Sequence, residues 1–195
     1  PAWCSDWYGG TPFLHFYPPI SYLLTFFVAL LCSDPLLAYK IVDTFFYVVT
    51  PFSIYFLSYN LGFKKIQSLF AAILFSLTPI LLENYLYYDR FTTTISVPFL
   101  CLFLISIIKA LKSGKNDFFV ASSLLMTLVI LIHHLTAYCL AVILLLLVFA
   151  HYLKTRDVRA ILKSLVFAVV IPFLLSSFWL IPFLKSSLSI NNPFY

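Results

Sequence analysis

The chain has 195 residues, of which 63% are hydrophobic and only 10% are charged, and its mean hydropathy is +1.02. Such a small number of polar side chains cannot cover the surface of a soluble domain. The composition therefore excludes a soluble globular protein. The net charge is +5, and most of the Lys and Arg residues lie between apolar runs, where they determine the orientation of a membrane protein. We therefore do not expect binding to nucleic acid. The lipid bilayer is the first expected partner.

The expected fold class is all-α, a polytopic transmembrane helix bundle in the cell membrane. Long apolar runs without alternating polarity argue against a β-barrel. We expect an extracytoplasmic loop rich in aromatic residues, Pro and Gly at residues 1–19, the bundle at 20–185, and the start of a further extracytoplasmic segment at 186–195. Because the first residue is Pro1 and not Met, we expect a fragment or processed form that lacks residues at its N-terminus.

The first apolar segments differ in length. Residues 20–32 are too few to cross a hydrocarbon core of about 30 Å at about 1.5 Å per residue, so they predict an interfacial or re-entrant helix. Asp34, followed by a proline, signals the start of a helix over residues 35–59, which is long enough to span. Pro51 predicts a kink within it.

Three further apolar runs follow at residues 66–82, 95–108 and 118–151, and a final run ends near residue 182. As one helix, residues 118–151 would be about 50 Å long, which exceeds a bilayer. The run is therefore expected to fold back at its polar interruption, His133-His134. The sequence predicts about six spans and the short helix.

Most of the positive charge lies in three clusters that are separated by two predicted spans each. Their members are Lys64 and Lys65; Lys109, Lys112 and Lys115; and Lys154, Arg156, Arg159 and Lys163. All three clusters are expected on one side, which the positive-inside rule identifies as cytoplasmic. The alternation of spans then places residues 83–90, the histidine pair and the N-terminal loop together on the extracytoplasmic side.

The polar segment at residues 83–90 carries acidic candidates. Asp89 precedes a helix and is a candidate catalytic or metal-binding carboxylate, with helix capping and an ion pair to Arg90 as the alternative. Arg90 suits a two-point contact with a phosphate. Glu83 is a second catalytic candidate, although a solvated charge at a helix end is the simpler interpretation, and Tyr88 is a candidate substrate contact.

The remaining candidates are histidines and a pair of charges within the bundle. His133 and His134 are candidate ligands for a phosphate or a metal, but neighbours on a helix diverge by about 100°, and a polar break at the interface is the alternative. His15 is either a substrate contact or an interfacial side chain. Lys40 and Asp43 lie three residues apart and either pair near the interface or contact a substrate inside the bundle.

Several short motifs carry a resemblance to a known family. They are Pro1-Ala2-Trp3, Gly9-Gly10-Thr11-Pro12 and Phe16-Tyr17-Pro18-Pro19-Ile20-Ser21-Tyr22 in the N-terminal loop, Leu77-Thr78-Pro79 followed by Asp89-Arg90, and Leu131-Ile132-His133-His134-Leu135-Thr136-Ala137. With these motifs the chain resembles the GT-C class of membrane glycosyltransferases. It is similar in particular to the prokaryotic membrane proteins labelled 6-pyruvoyl-tetrahydropterin-synthase-related.

The resemblance implies a transferase that takes a sugar from a polyprenyl-phosphate donor at the outer face and passes it to an acceptor. In that class a catalytic Asp usually lies upstream of the Pro-Trp element, before this sequence starts, and Asp6 does not occupy its position. Asp89 matches the second acidic position, expected to bind a divalent metal or the donor phosphate. Two functions stay open beside it: a transporter or lipid-handling protein that uses Lys40 and Asp43, and an inactive scaffold.

Overall fold

The computed structural model describes residues 3–4, 11–87 and 90–190, and these are almost entirely helical, as predicted. The helices are α1 Phe13–Phe16, α2 Pro19–Cys32, α3 Pro35–Asn60, α4 Lys65–Ser76, α5 Pro79–Leu86, α6 Phe91–Ser113, α7 Asn116–Ile132, α8 His134–Thr155, α9 Val158–Leu165 and α10 Ile171–Ile190. An antiparallel ladder pairs two-residue strands, β1 Trp3–Cys4 and β2 Thr11–Pro12.

The start of α3 follows the sequence signal. Asp34 Oδ1 accepts hydrogen bonds from the backbone N–H groups of Leu36 at 2.9 Å and Leu37 at 3.2 Å, which satisfies donors that have no partner within the helix. Pro35 occupies the first helical position, where its missing N–H costs nothing. The helix continues past Pro51 to Asn60, so the predicted bounds of this span are confirmed.

The predicted helix at residues 66–82 is broken into α4 and α5, whose axes differ by 47°. The hydroxyl of Thr78 donates to the carbonyl oxygen of Phe75 at 2.6 Å and helps to end α4. Pro79 then begins α5, since a proline at the first helical position needs no hydrogen-bond donor. The segment forms a bent pair in place of one straight helix.

The predicted reversal at the histidine pair is confirmed. α7 ends at Ile132 and α8 begins at His134, and His133 between them is extended, with φ −156° and ψ 98°. α7 packs against both α6 and α8. An apolar run too long for a bilayer thus becomes two adjacent helices with a polar turn between them.

Within the described residues, four helices are long and apolar enough to cross a membrane, and the bent pair makes a fifth if it is one span. The four are Pro35–Asn60, Phe91–Ser113, His134–Thr155 and Val158–Ser186. α2 has 14 residues and α7 has 17, so both are shorter than the 18 residues expected of a spanning helix. This was predicted for α2 but not for α7. The structure thus has four or five candidate spans, fewer than the six or so predicted, because the prediction included α7 as a full span.

The basic segment between α8 and α10 is more helical than predicted. α9 begins at Val158, so Arg159 and Lys163 lie on a helix and not in a loop. Asp157 Oδ1 caps this helix by accepting from the backbone N–H of Ala160 at 3.0 Å. A π-helical stretch, Val166–Val170, joins α9 to α10, and the last span therefore starts earlier than the sequence indicated.

Two buried apolar clusters hold the bundle together. The larger lies between α6, α7 and α8 and includes Phe103, Ile107, Phe119, Leu140 and Leu144. The smaller joins α3, α6 and α7 through Val42, Phe91, Ile95 and Ile132, and Ile20 and Val28 of α2 pack against it. Both Phe91 and Ile132 are next in sequence to a candidate site residue, so the smaller cluster supports the helix ends that carry Arg90 and His133.

Candidate functional site

The three basic clusters lie at one end of the bundle. Lys163 Nζ on α9 donates to Asn116 Oδ1 at 2.8 Å, which joins the start of α7 to α9, and Lys112 and Arg159 line one cavity between them. α3 runs parallel to α6, because Tyr39 packs on Phe91 and, two turns on, Phe46 packs on Phe99. The turn between α3 and α4 therefore reaches the same end, which we call the basic end.

The opposite end, which we call the histidine end, is formed by Leu14, Arg90, His133, His134, Thr136 and Trp179. A short hydrogen-bonded chain connects two helices here. His133 Nδ1 lies 2.7 Å from Thr136 Oγ1, and Thr136 Oγ1 lies 3.0 Å from Ser96 Oγ on α6. This chain fixes the imidazole of His133 against both α8 and α6.

Arg90 lies near enough to His133 for its charge to act on the imidazole. Arg90 precedes α6, and its backbone carbonyl accepts from the N–H groups of Thr93 at 2.9 Å and Thr94 at 3.1 Å. Its side chain is exposed. The pKa of His133 is lowered to about 4, chiefly by burial, with the nearby His134 and the Arg90 guanidinium acting in the same direction. His133 is consequently neutral at physiological pH, and the positive charge of this pair belongs to Arg90.

His134 lies in a group of aromatic side chains. Its ring centroid is 5.2 Å from that of Phe183, 6.0 Å from Tyr138 and 6.1 Å from Trp179. Its Nδ1 is buried and has no hydrogen-bond partner among the described residues. The two histidines therefore face different surroundings, His133 a polar chain and His134 an aromatic pocket, in line with the expected divergence of neighbouring side chains.

The described part of the N-terminal segment reaches the histidine end. Trp179 Nε1 on α10 donates to the carbonyl oxygen of Leu14 at 2.8 Å. Ser21 Oγ on α2 lies 3.5 Å from the carbonyl oxygen of Ile132, the last residue of α7. His15 belongs to α1, and its side chain lies outside the described part of the protein.

Of the two acidic candidates, Glu83 belongs to the described part of the chain and Asp89 does not. Asp89 and Tyr88 lie outside the described residues, so their roles stay predictions. Glu83 is exposed on α5, and the same helix is held to α3 by Tyr85, whose ring stacks on Tyr47 at 4.4 Å. Within residues 11–87 and 90–190, no group of three His, Cys, Asp or Glu side chains could hold a metal ion.

Lys40 and Asp43 do not form the expected ion pair. Lys40 is exposed, whereas Asp43 is only 5% exposed and contacts the side chain of Thr94 on α6. Asp43 Oδ1 has no hydrogen-bond partner in the described structure. The carboxylate instead points into the bundle, because the α3 face that carries it packs on α6.

Three residues of the histidine end, Ser96, Thr136 and Trp179, were not among the predicted site residues. Thr136 follows His133 by three residues, the spacing between a helix cap and the first turn, and this local signal identifies it. Ser96 lies forty residues from its partner and Trp179 lies 165 residues from Leu14. Only the packing of α6 on α8, and of α10 on the N-terminal segment, brings these residues to the site.

Fold and site together define a polytopic helical membrane protein with a polar histidine site at one end of its bundle. The sequence pattern of one protein family, described as "6-pyruvoyl-tetrahydropterin synthase related domain; membrane protein", matches residues 14–193. The chain belongs to this family. Neither the curated proteins nor the solved structures contain a significant match to it.

Proposed function

We propose that this protein is a glycosyltransferase-like membrane protein of the GT-C type. It transfers a sugar from a polyprenyl-phosphate-linked donor to an acceptor at the extracytoplasmic face. The motifs of the N-terminal loop, the Asp89-Arg90 segment and the histidine turn support the class of enzyme. The observation that carries the proposal is an apolar groove that starts beside His134, at the end of the bundle where Arg90 also lies.

The groove has a volume of about 230 Å³. It runs between α7, α8 and α10, with Met126, Ala137 and Ala168 among its lining residues and His134 at one end. Tyr138, another lining residue, is 57% exposed, so the groove opens sideways toward lipid. A polyprenyl-phosphate has an apolar tail in the bilayer and phosphates at headgroup depth, and an apolar groove with a histidine at its end suits both parts.

The residues have distinct roles in this proposal. Arg90 provides the charge that binds the donor phosphate, since guanidinium groups form two-point contacts with phosphate oxygens. His133 is neutral and orients the site through Thr136. Asp89 binds a divalent metal or the donor phosphate, and Glu83 is a second acidic candidate. Tyr88, His15 and His134 contact the substrates.

We also propose that the bundle has six spans, with the bent pair as one span and α7 as another. α7 has 17 residues, the lower limit for a crossing helix. It connects the basic end to the histidine end, so it traverses the same thickness as α6 and α8. By the positive-inside rule the basic end is cytoplasmic and the histidine end is extracytoplasmic.

Cysteine labelling of the intact membrane tests this orientation. Labels at Lys112 and Lys154 should react only from the cytoplasmic side and a label at Tyr87 only from the outside. The reverse pattern would move the histidine end to the cytoplasm and rule out a donor on the outer face.

The function is tested by titrating the full protein with a polyprenyl-phosphate sugar. Arg90→Lys keeps the positive charge but loses the planar two-point contact. We expect its dissociation constant for the donor to rise about ten- to hundredfold, since a charge-assisted hydrogen bond contributes about 1.5 to 3 kcal/mol. Arg159→Lys, the same change on an exposed residue of the basic end, is the matched control and should bind like the wild type.

Equal dissociation constants for the wild type and Arg90→Lys would remove Arg90 from the donor site. A wild-type protein that binds no lipid-linked sugar would reject the donor class itself. In that case a transporter or lipid-handling function would be favoured, and the burial of Asp43 is the observation that supports it. A buried carboxylate with an unpartnered oxygen inside a membrane bundle is typical of a substrate or ion pathway.

A further inference from the structure

A second and larger groove lies near the basic end, away from the histidines. It has a volume of about 580 Å³ and runs between α3 and α4, with Phe52 and Tyr55 on one wall and Leu69 and Ile73 on the other. This volume is within the range of about 300 to 1,000 Å³ that is typical of ligand pockets. Phe52 is 61% exposed and Leu69 49%, so the groove faces the lipid along the side of the bundle.

The groove has a charged residue at one end only. Lys65, the first residue of α4, is exposed and lines it. Ile73, which also lines the groove, lies eight residues further along α4. The groove therefore extends about 12 Å along the helix axis from Lys65. No carboxylate is among the described lining residues, and Lys64 adds a second exposed charge beside the opening. The walls are therefore apolar along their length and cationic at the mouth.

An aromatic pair marks the depth of the headgroup layer at this mouth. The rings of Tyr55, which lines the groove, and Tyr59 are parallel to within 2°, with centroids 6.3 Å apart. Tyrosine side chains concentrate at the level where acyl chains meet headgroups. Lys65 thus lies where a phospholipid phosphate would lie if its acyl chains filled the groove.

The geometry points to a binding site for an anionic phospholipid between α3 and α4, with the acyl chains against Leu69 and Ile73 and the headgroup phosphate on Lys65. A zwitterionic lipid carries its own cation beside the phosphate and gains less from the lysine. An anionic headgroup keeps a net negative charge and complements the basic end, the face on which anionic lipids attract clusters of Lys and Arg. This site is independent of sugar transfer at the histidine end.

Native mass spectrometry of the purified protein with mixed phosphatidylglycerol and phosphatidylcholine tests the site. We expect the wild type to retain phosphatidylglycerol in preference to phosphatidylcholine. Lys65→Gln should lower this preference about fivefold, the effect of one lysine near an anionic surface. Lys112→Gln is the matched control, because Lys112 is also an exposed lysine of the basic end and does not line the groove.

A second variant tests the apolar part. Leu69→Trp fills the groove without changing the charge, and it should reduce the retention of both lipids. Three results would overturn the inference: equal retention of the two lipids by the wild type, equal losses in Lys65→Gln and Lys112→Gln, or a dimer whose formation Leu69→Trp prevents. The last result would show that a second copy of the chain fills the groove. If Leu69→Trp does not fold, the comparison of the two lysine variants decides alone.

Discussion

The two ends of the bundle use polar side chains in different ways. At the histidine end, hydrogen bonds join distant parts of the chain, from Trp179 to Leu14 and from Ser96 to Thr136. At the basic end most bonds are local, such as that from Ser113 Oγ to the carbonyl of Lys109, four residues earlier. Bonds between helices fix side chains in one arrangement, whereas exposed local bonds leave them solvated. The polar side chains of the histidine end are therefore held in place by other helices, whereas most of those at the basic end are exposed and bonded only to their own helix.

The largest effect is expected from Trp179→Ala. Trp179 is 4% exposed, stacks on Phe183 at 5.1 Å and bonds Leu14, so its removal leaves a cavity and an unpaired carbonyl. Truncation of a buried aromatic side chain typically costs about 3 kcal/mol or more. Chemical unfolding in mild detergent should show this loss in the free energy of unfolding.

Phe178→Ala is the control for that measurement. Phe178 is the preceding residue and is 64% exposed, so its loss should change the free energy of unfolding by less than about 1 kcal/mol. If both variants lose the same stability, the N-terminal segment is not anchored through Trp179, and the contrast between the two ends is weakened.

A smaller effect is expected from pH. The pKa of His133 is about 4 in the folded protein and about 6.5 in an unfolded chain, so between these values the unfolded state binds a proton that the folded state does not. The stabilisation is complete above pH 6.5 and is lost as the pH falls toward 4. The free energy of unfolding should fall by about 2 kcal/mol over this window, after allowance for the exposed part of the ring.

His133→Asn isolates the contribution of His133, since asparagine retains a polar atom near the position of Nδ1 but does not titrate. The variant should show a flatter dependence of stability on pH between 6.5 and 4. An unchanged slope would assign the pH dependence to other groups and would show that His133 is solvated.

The smallest effect is expected at the basic end, from Lys163→Met. Lys163 bonds Asn116 at 2.8 Å and lies 5.6 Å from the centroid of the Phe119 ring, but it remains half-exposed. Loss of such a pair should change the free energy of unfolding by about 0.5 kcal/mol or less, and less still at high salt. A loss as large as that of Trp179→Ala would show that the basic end is as tightly organised as the histidine end.

The sequence by itself determined the class of fold and much of the order along the chain. The length of the apolar runs and the composition predicted a membrane helix bundle. Asp34 and Pro35 predicted the start of α3. The excessive length of residues 118–151 gave the reversal at His133. These features are local, since a cap, a proline or the length of an apolar run acts through neighbouring residues or through the thickness of the bilayer.

Only the tertiary structure decided which side chains meet. It placed Arg90 beside His133, buried Asp43 against Thr94 where an ion pair with Lys40 was expected, and brought Trp179 to Leu14. It also bent residues 66–82 into two helices, although Pro79 was visible in the sequence. Side chains on different helices meet only through the angles and rotations at which those helices pack, and the apolar faces of membrane helices are too alike in sequence to specify these.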